Sequence, residues 1–236
     1  MTRLSLPLFA PPVIRTYQGD IDADMACIRT IKRANEVTGG LSKPSKMPEW
    51  AYSIPAQYCK TGAKLHEVRG TVCQRCYALT NRYVHPSVTA ALQRRFESLP
   101  HPLWVPAMVL LIGRREIEHF RWHDSGDVQT LEHLENIMRV AQETRKTLHW
   151  LPFREYGIMT DFLDNGGKIP ENMVARASAH VIDGPPPSGF ENTSTVTAAR
   201  PDKNSHLCPA PGQGNVCGEC RACWNRDIKN VVYWLH

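Results

Sequence analysis

The residues best equipped for chemistry are two carboxylates and a histidine in Arg121-Trp122-His123-Asp124-Ser125-Gly126-Asp127-Val128-Gln129, a Gly-containing turn between an expected strand and an expected helix. A side chain just past the C-terminal end of a parallel strand points into the crevice where α/β proteins bind substrate. Asp124 and Asp127 lie three residues apart, so both can face one pocket, one ionised as nucleophile or base and the other held protonated. The same turn has a plain structural use, with Asp127 capping the helix that follows. Two further strand ends add to the signal, because Phe153 is followed by the polar pair Arg154-Glu155 and the next strand carries Arg176, Ser178 and His180. The catalytic candidates are therefore Asp124, Asp127, His123, Glu155 and Arg154, with Arg176 and Ser178 expected to touch substrate.

Seven of the eight cysteines form two groups. Cys59, Cys73 and Cys76 have the spacing C-x13-C-x2-C, and Cys208, Cys217, Cys220 and Cys223 have C-x8-C-x2-C-x2-C. A Cys-x-x-Cys pair brings two thiolates to one metal from a single turn, so the C-terminal four can close a tetrahedral zinc site unaided. The N-terminal three need a fourth ligand, for which His66, His85 and Cys27 are local candidates, or they leave a catalytic position open. Zinc is the first expectation, and an iron-sulfur cluster is the alternative, since three thiolates and one open iron also make a catalytic arrangement. The C-terminal site reads as a staple for loops. Cys27, alone in an expected helix, reads as a small buried hydrophobe.

These residues need a scaffold. Residues 1 to about 20 read as an extended arm, and Asp24 to Val37 as a helix ended by Thr38-Gly39-Gly40. Leu41 to Tyr83 is irregular. Helices are expected from Pro86, with the stripe Val88, Leu92, Phe96 and Leu99, and over Leu103 to Gly113. Strand Ile117 to Trp122, helix Val128 to Thr144, strand Thr147 to Pro152, helix Ile158 to Leu163 and strand Met173 to Ser178 then alternate, with further strands at Thr193 to Ala199 and Val231 to Leu235. That alternation implies an α/β fold of parallel βα units, either open or curled into a small or incomplete TIM-type barrel. The chain reads as a single α/β catalytic domain over residues 1–236. Its cysteine-containing segments, 41–83 and 205–225, are expected as metal-binding insertions.

The chain of 236 residues is long enough for one such domain, and its 18 prolines mark loops. The net charge of +5 mildly favours an anionic partner, but the basic residues are dispersed. No apolar run approaches a membrane span, and Leu4 to Val13 lacks the order of a signal peptide. A cytoplasmic protein is expected, in which thiols stay reduced and bind metals before they form disulfides.

Asp124-Ser125-Gly126-Asp127-Val128-Gln129 resembles the Asp-Ser-Gly-Gly-Phe-Gln signature of the tRNA-guanine transglycosylase superfamily, and Trp150-Leu151-Pro152-Phe153-Arg154 echoes its Val-Leu-Pro-Thr-Arg strand. Lys46-Met47-Pro48, Trp50, Ser53-Ile54-Pro55-Ala56, Cys73-x-x-Cys76-Tyr77-Ala78, His123 to Asp127 and the terminal cysteines together resemble small phage DNA guanine transglycosylases. That resemblance implies a TIM barrel with zinc and replacement of guanine in DNA by a 7-deazaguanine such as preQ0, in the cytoplasm of the phage's host, which protects the phage genome from restriction. The chemistry would be a double displacement at the sugar by Asp124 and Asp127, with the nucleophile left open between them. The flipped base would lie near Ser125, Gly126 and Gln129 between Trp50, Trp122 and Phe153, and the DNA backbone would run along Lys43, Lys46, Arg69, Arg75 and Arg82. This chain is shorter than the tRNA enzymes and has different cysteine spacing, and at Leu148 or His149 it lacks a counterpart of their nucleophilic aspartate. Two other readings stand beside it: an iron-sulfur enzyme of radical type, and a zinc-stapled nucleic-acid-binding protein with no activity.

Overall fold

The computed structural model describes residues 12–199 and 205–235. Seven strands, β1 (Trp50–Tyr52), β2 (His119–Trp122), β3 (Leu148–Phe153), β4 (Met173–Ser178), β5 (Asn192–Thr197), β6 (His206–Leu207) and β7 (Asn230–Trp234), form one sheet in the order β1-β2-β3-β4-β5-β7-β6. All neighbours are parallel. Parallel neighbours need long crossovers, and up to β4 the chain supplies them as helices. These are α4 (Pro86–Ser98) and α5 (Trp104–Arg114) before β2, α6 (Leu131–Glu143) before β3 and α7 (Tyr156–Asp164) before β4. The α/β expectation holds, and the sheet does not close on itself, with β1 and β6 at its edges. No helix among the described residues is long and apolar enough to cross a membrane.

Strand alternation divides the side chains between two faces. Tyr52, Phe120, Trp122, Leu151, Phe153, Met173, Ala175 and Ala177 enter the main core with Phe96, Trp104, Met108, Leu134 and Ile137 of the helices. Arg121, Trp150 and Arg176 take the opposite face, which the segment 222–228 covers. There the Arg176 guanidinium donates to five main-chain carbonyls, those of Cys223 (3.1 Å), Thr193 (3.3 Å), Ile228 (2.8 Å), Ala222 (2.9 Å) and Asn225 (2.7 Å). Trp224 adds an indole bond to the Phe120 carbonyl at 3.0 Å. Arg176 is therefore a clamp between sheet and C-terminal segment, and not the substrate contact expected.

Three other expectations change. The helix expected over Asp24 to Val37 is two helices, α1 (Ile21–Ile28) and α2 (Ile31–Thr38), because Arg29 takes a positive φ of 62° and the Thr30 hydroxyl caps the second helix at Arg33 N–H. Cys27 is exposed on α1, so it is no core residue. The irregular segment 41–83 contains β1 and a short helix, α3 (Lys60–His66). Of the expected N-terminal arm, residues 1–11 lie outside the described residues, and residues 12–20 form no helix or strand.

Candidate active site at the C-terminal edge of the sheet

The loops after β1 and β2 are bonded to each other. His123 N–H donates to the Tyr52 carbonyl (2.8 Å), Asp124 N–H to Ser53 Oγ (3.1 Å), Ile54 N–H to the Ser125 carbonyl (3.1 Å) and Ser125 Oγ to the Ile54 carbonyl (2.9 Å). Gly126 makes this contact possible: its φ is +83°, and a Cβ there would lie 2.8 Å from the Ile54 carbonyl oxygen. Ser125 and Gly126 thus shape the turn. Gln129 does the same, with its side-chain amide on the Asp127 carbonyl at 2.8 Å.

The two aspartates of the turn have different surroundings. Asp124 Oδ2 accepts from the Tyr83 hydroxyl (2.9 Å) and its carbonyl from the Tyr77 hydroxyl (2.5 Å), while Oδ1 is buried and has no partner among the described residues. Asp127 is buried, and its two oxygens accept the main-chain N–H groups of Val128 and Arg154, each at 2.8 Å. Burial, and then the Glu155 carboxylate, raise the Asp127 pKa to about 7 against the pull of those two hydrogen bonds. The carboxylate acting most strongly on Asp127 is thus that of Glu155, not the expected partner Asp124. Nor does Asp127 cap α6, whose N-cap is Thr130 with its hydroxyl on His133 N–H.

His123 sits at φ +53°, buried, with both ring nitrogens unpartnered among the described residues and its ring edge-on to His133 at 5.5 Å. Burial, and then His133 and Arg121, hold its pKa well below the usual imidazole range, so it stays neutral.

The segment after β1 spans this edge of the sheet from β2 to β4. Glu155 fastens α3 at its N-terminus, its carboxylate accepting Thr61 N–H (2.8 Å) and Oγ1 (2.7 Å), and Lys60 Nζ donates to the Gln129 carbonyl at 2.6 Å. Val72 N–H then reaches the His180 carbonyl (2.9 Å), and Thr71 bridges Val181. These contacts gather Cys59, Cys73 and Cys76 over the ends of β2 and β3. Burial raises the Cys59 thiol pKa, and Asp127, Cys76 and Cys73 raise it further, with Arg154 opposing. Gly62 lies under them: a Cβ at that position would stand 3.7 Å from the sulfurs of both Cys59 and Cys73.

Of the local candidates for a fourth ligand, His66 is bonded to the cysteine segment through Nδ1, which leaves its Nε2 available. That bond is to the Cys73 carbonyl (3.0 Å), whereas His85 Nδ1 is on Ser87 Oγ (3.0 Å) and Cys27 is on α1. The charged groups beside the thiols are Asp127, Glu155 and Arg154. Buried thiols that repel one another as thiolates fit a bound metal cation, which holds coordinating sulfur deprotonated.

The C-terminal cysteines form a second group near β7. Cys220 Sγ is 3.5 Å from His206 Nε2 and Cys223 Sγ 3.1 Å from the Tyr233 hydroxyl, while Cys217 N–H donates to the Lys46 carbonyl at 3.0 Å. Among the described residues, the one trio of His, Cys, Asp or Glu ligand atoms within 4.8 Å of one another is Glu49, Glu118 and His119, at the opposite edge of the sheet. Both cysteine groups are more open than that.

Of the remaining site candidates, Trp122 and Phe153 are core residues rather than pocket walls, and Ser178 is buried against Ser194 Oγ at 3.1 Å. The expected basic rim divides. Arg69, Arg75 and Arg82 are exposed on the segment across the site, whereas Lys43 lies over the Trp50 ring at the start of β1 and Lys46 beside Cys217.

The family Gene product 88 (GP88) matches residues 28–226, which takes in β1 to β6 and both cysteine groups. This chain belongs to that family. No curated protein and no solved structure matches it. Within this GP88 chain Thr61, Gly62, Tyr77 and Tyr83 shape the site although the sequence assigns them no role. Only Tyr77 carried a local signal, its place beside Cys76.

Proposed function

We propose that this protein is an iron-sulfur enzyme of radical type, working at the C-terminal edge of an incomplete barrel. The observation that carries the reading is the position of Cys59, Cys73 and Cys76: on the segment between β1 and α4, Cys59 before α3 and the other two after it, with Asp127 and Arg154 beside them and no fourth thiol. Three thiolates beside one another suit a cluster with one open iron. In a multi-iron cluster each cysteine holds a different iron.

Cys59, Cys73 and Cys76 would hold the cluster, which supplies one-electron chemistry and an open iron for a small co-substrate. Arg154 offsets thiolate charge, Gly62 leaves room below the sulfurs, and Glu155 holds α3 in place through Thr61. The test is anaerobic reconstitution with iron and sulfide, followed by electron paramagnetic resonance with and without S-adenosylmethionine. A brown protein whose reduced signal shifts with S-adenosylmethionine, and which is lost in Cys59→Ala and Cys76→Ala, is the expected result. A colourless protein carrying zinc on these three cysteines would refute it.

Asp124 favours a second reading, base exchange in DNA with preQ0 or a related 7-deazaguanine and a structural zinc. One of its oxygens is unpartnered and the other is held by Tyr83, which suits a nucleophile. Release of labelled guanine from duplex DNA by wild type and not by Asp124→Ala would establish that reading over the first.

A further inference from the structure

Arg121 stands out among the partly buried cations. It projects from β2 onto the face opposite the helices, where its guanidinium lies over the Trp150 ring (4.3 Å) and Nη1 donates to Met47 Sδ (3.1 Å). Its Nε is buried without a partner, and among the described residues no carboxylate forms a salt bridge with it. Arg176, one strand beyond β3 on the same face, has five carbonyls. The partners of Arg121 are a thioether and the Tyr77 hydroxyl, neither of them an anion, and a partly buried guanidinium so placed gains from a nearby negative charge.

Two of the C-terminal cysteines, Cys217 and Cys223, lie near that position. Cys217 is docked on Lys46, next to Met47; Cys223 lies beside Trp224, whose ring meets Trp150 edge-on at 5.2 Å; and Tyr233 reaches Cys223 at 3.1 Å. Burial raises the thiols of Cys217 and Cys223, and Arg121 opposes the rise in both. On its other side Arg121 lies within electrostatic reach of Asp124 and Tyr77 at the mouth.

We propose that Arg121 is a counter-ion shared by the two ends of this face, so that a metal bound as an anionic thiolate complex by Cys208, Cys217, Cys220 and Cys223 fixes the guanidinium and, through it, Tyr77 and Asp124. Arg121 is a positioning residue here, and the inference holds whatever occupies Cys59, Cys73 and Cys76.

The test uses the full chain with Cys59→Ser and Cys73→Ser, so that cobalt(II) reports on the C-terminal group through its thiolate charge-transfer band. Arg121→Met should weaken cobalt binding about 10- to 100-fold, the range for loss of a partner that supports metal ligands. Arg121→Lys, which keeps the charge, should recover most of the affinity. Cobalt should also slow amide exchange over residues 77–84 with Arg121 present and not in Arg121→Met. Absence of cobalt binding, equal affinity in Arg121→Met, equal loss in Arg121→Lys and Arg121→Met, or unchanged exchange over 77–84 would each overturn the proposal.

Discussion

Replacing Asp127 by Asn should change the slope of stability against pH as well as its size. The unfolded chain releases this proton near pH 3.9, and the folded metal-free protein holds it to about pH 7, because burial and Glu155 oppose the charge. Between those values the native state binds one proton more than the unfolded state, so stability falls as pH rises, by about 1.4 kcal/mol per unit and by roughly 4 kcal/mol across the window. This stabilisation is complete below the unfolded pKa and is gone above about pH 7. Asn cannot ionise, so Asp127→Asn lacks this decline. It has its own cost: the Asn amide nitrogen cannot accept from one of the two N–H groups at 2.8 Å, those of Val128 and Arg154, and one buried donor left unmet costs about 1–3 kcal/mol. The variant should therefore be less stable than wild type near pH 4 and draw level with it or exceed it above pH 7. Urea unfolding of both proteins, stripped of metal, across that range measures the difference directly, and titrating groups not coupled to Asp127 cancel in it. Two parallel curves would refute the argument, because they would mean that Asp127 is ionised in the folded protein throughout.

Arg176→Met should cost at least about 3–5 kcal/mol, since it strands five buried carbonyls in place of one charged donor; limited proteolysis should then cut within 205–228 first. Glu155→Gln should lower stability by about 1–2 kcal/mol, the scale of a lost helix cap, because Thr61 offers two donors to a carboxylate that becomes an amide; thermal unfolding checks this. Gly62→Ala adds a methyl 2.9 Å from Cys59 Cβ and 3.7 Å from two sulfurs, so iron bound after reconstitution should fall severalfold while circular dichroism stays native.

The alternation of strand and helix from β2 to β4 was legible in the sequence because those elements are amphipathic and bounded by turn residues. β1 was not, since Trp50-Ala51-Tyr52 is too short to show a period and lies among irregular residues. The split between α1 and α2 was hidden because it turns on the backbone of Arg29, a residue type with no preference for positive φ.

At the site, legibility followed the source of each residue's role. A cysteine beside a second cysteine declares its use through spacing, and both groups were visible on that ground. Arg176 and Trp122 carry no such pattern: a guanidinium or an indole on a strand reads the same whether it meets a ligand, five carbonyls or other rings, and only the packing of 222–228 and of α5 decides. Asp127 is the sharpest case. Its nearest carboxylate in sequence, Asp124, is not the one that bears most on it; Glu155 is, brought there by the parallel pairing of β2 with β3, 28 positions away in the chain. Parallel register thus builds the acid pair at this edge, and in such a sheet the pairs to seek in sequence are those at successive strand ends rather than within one turn.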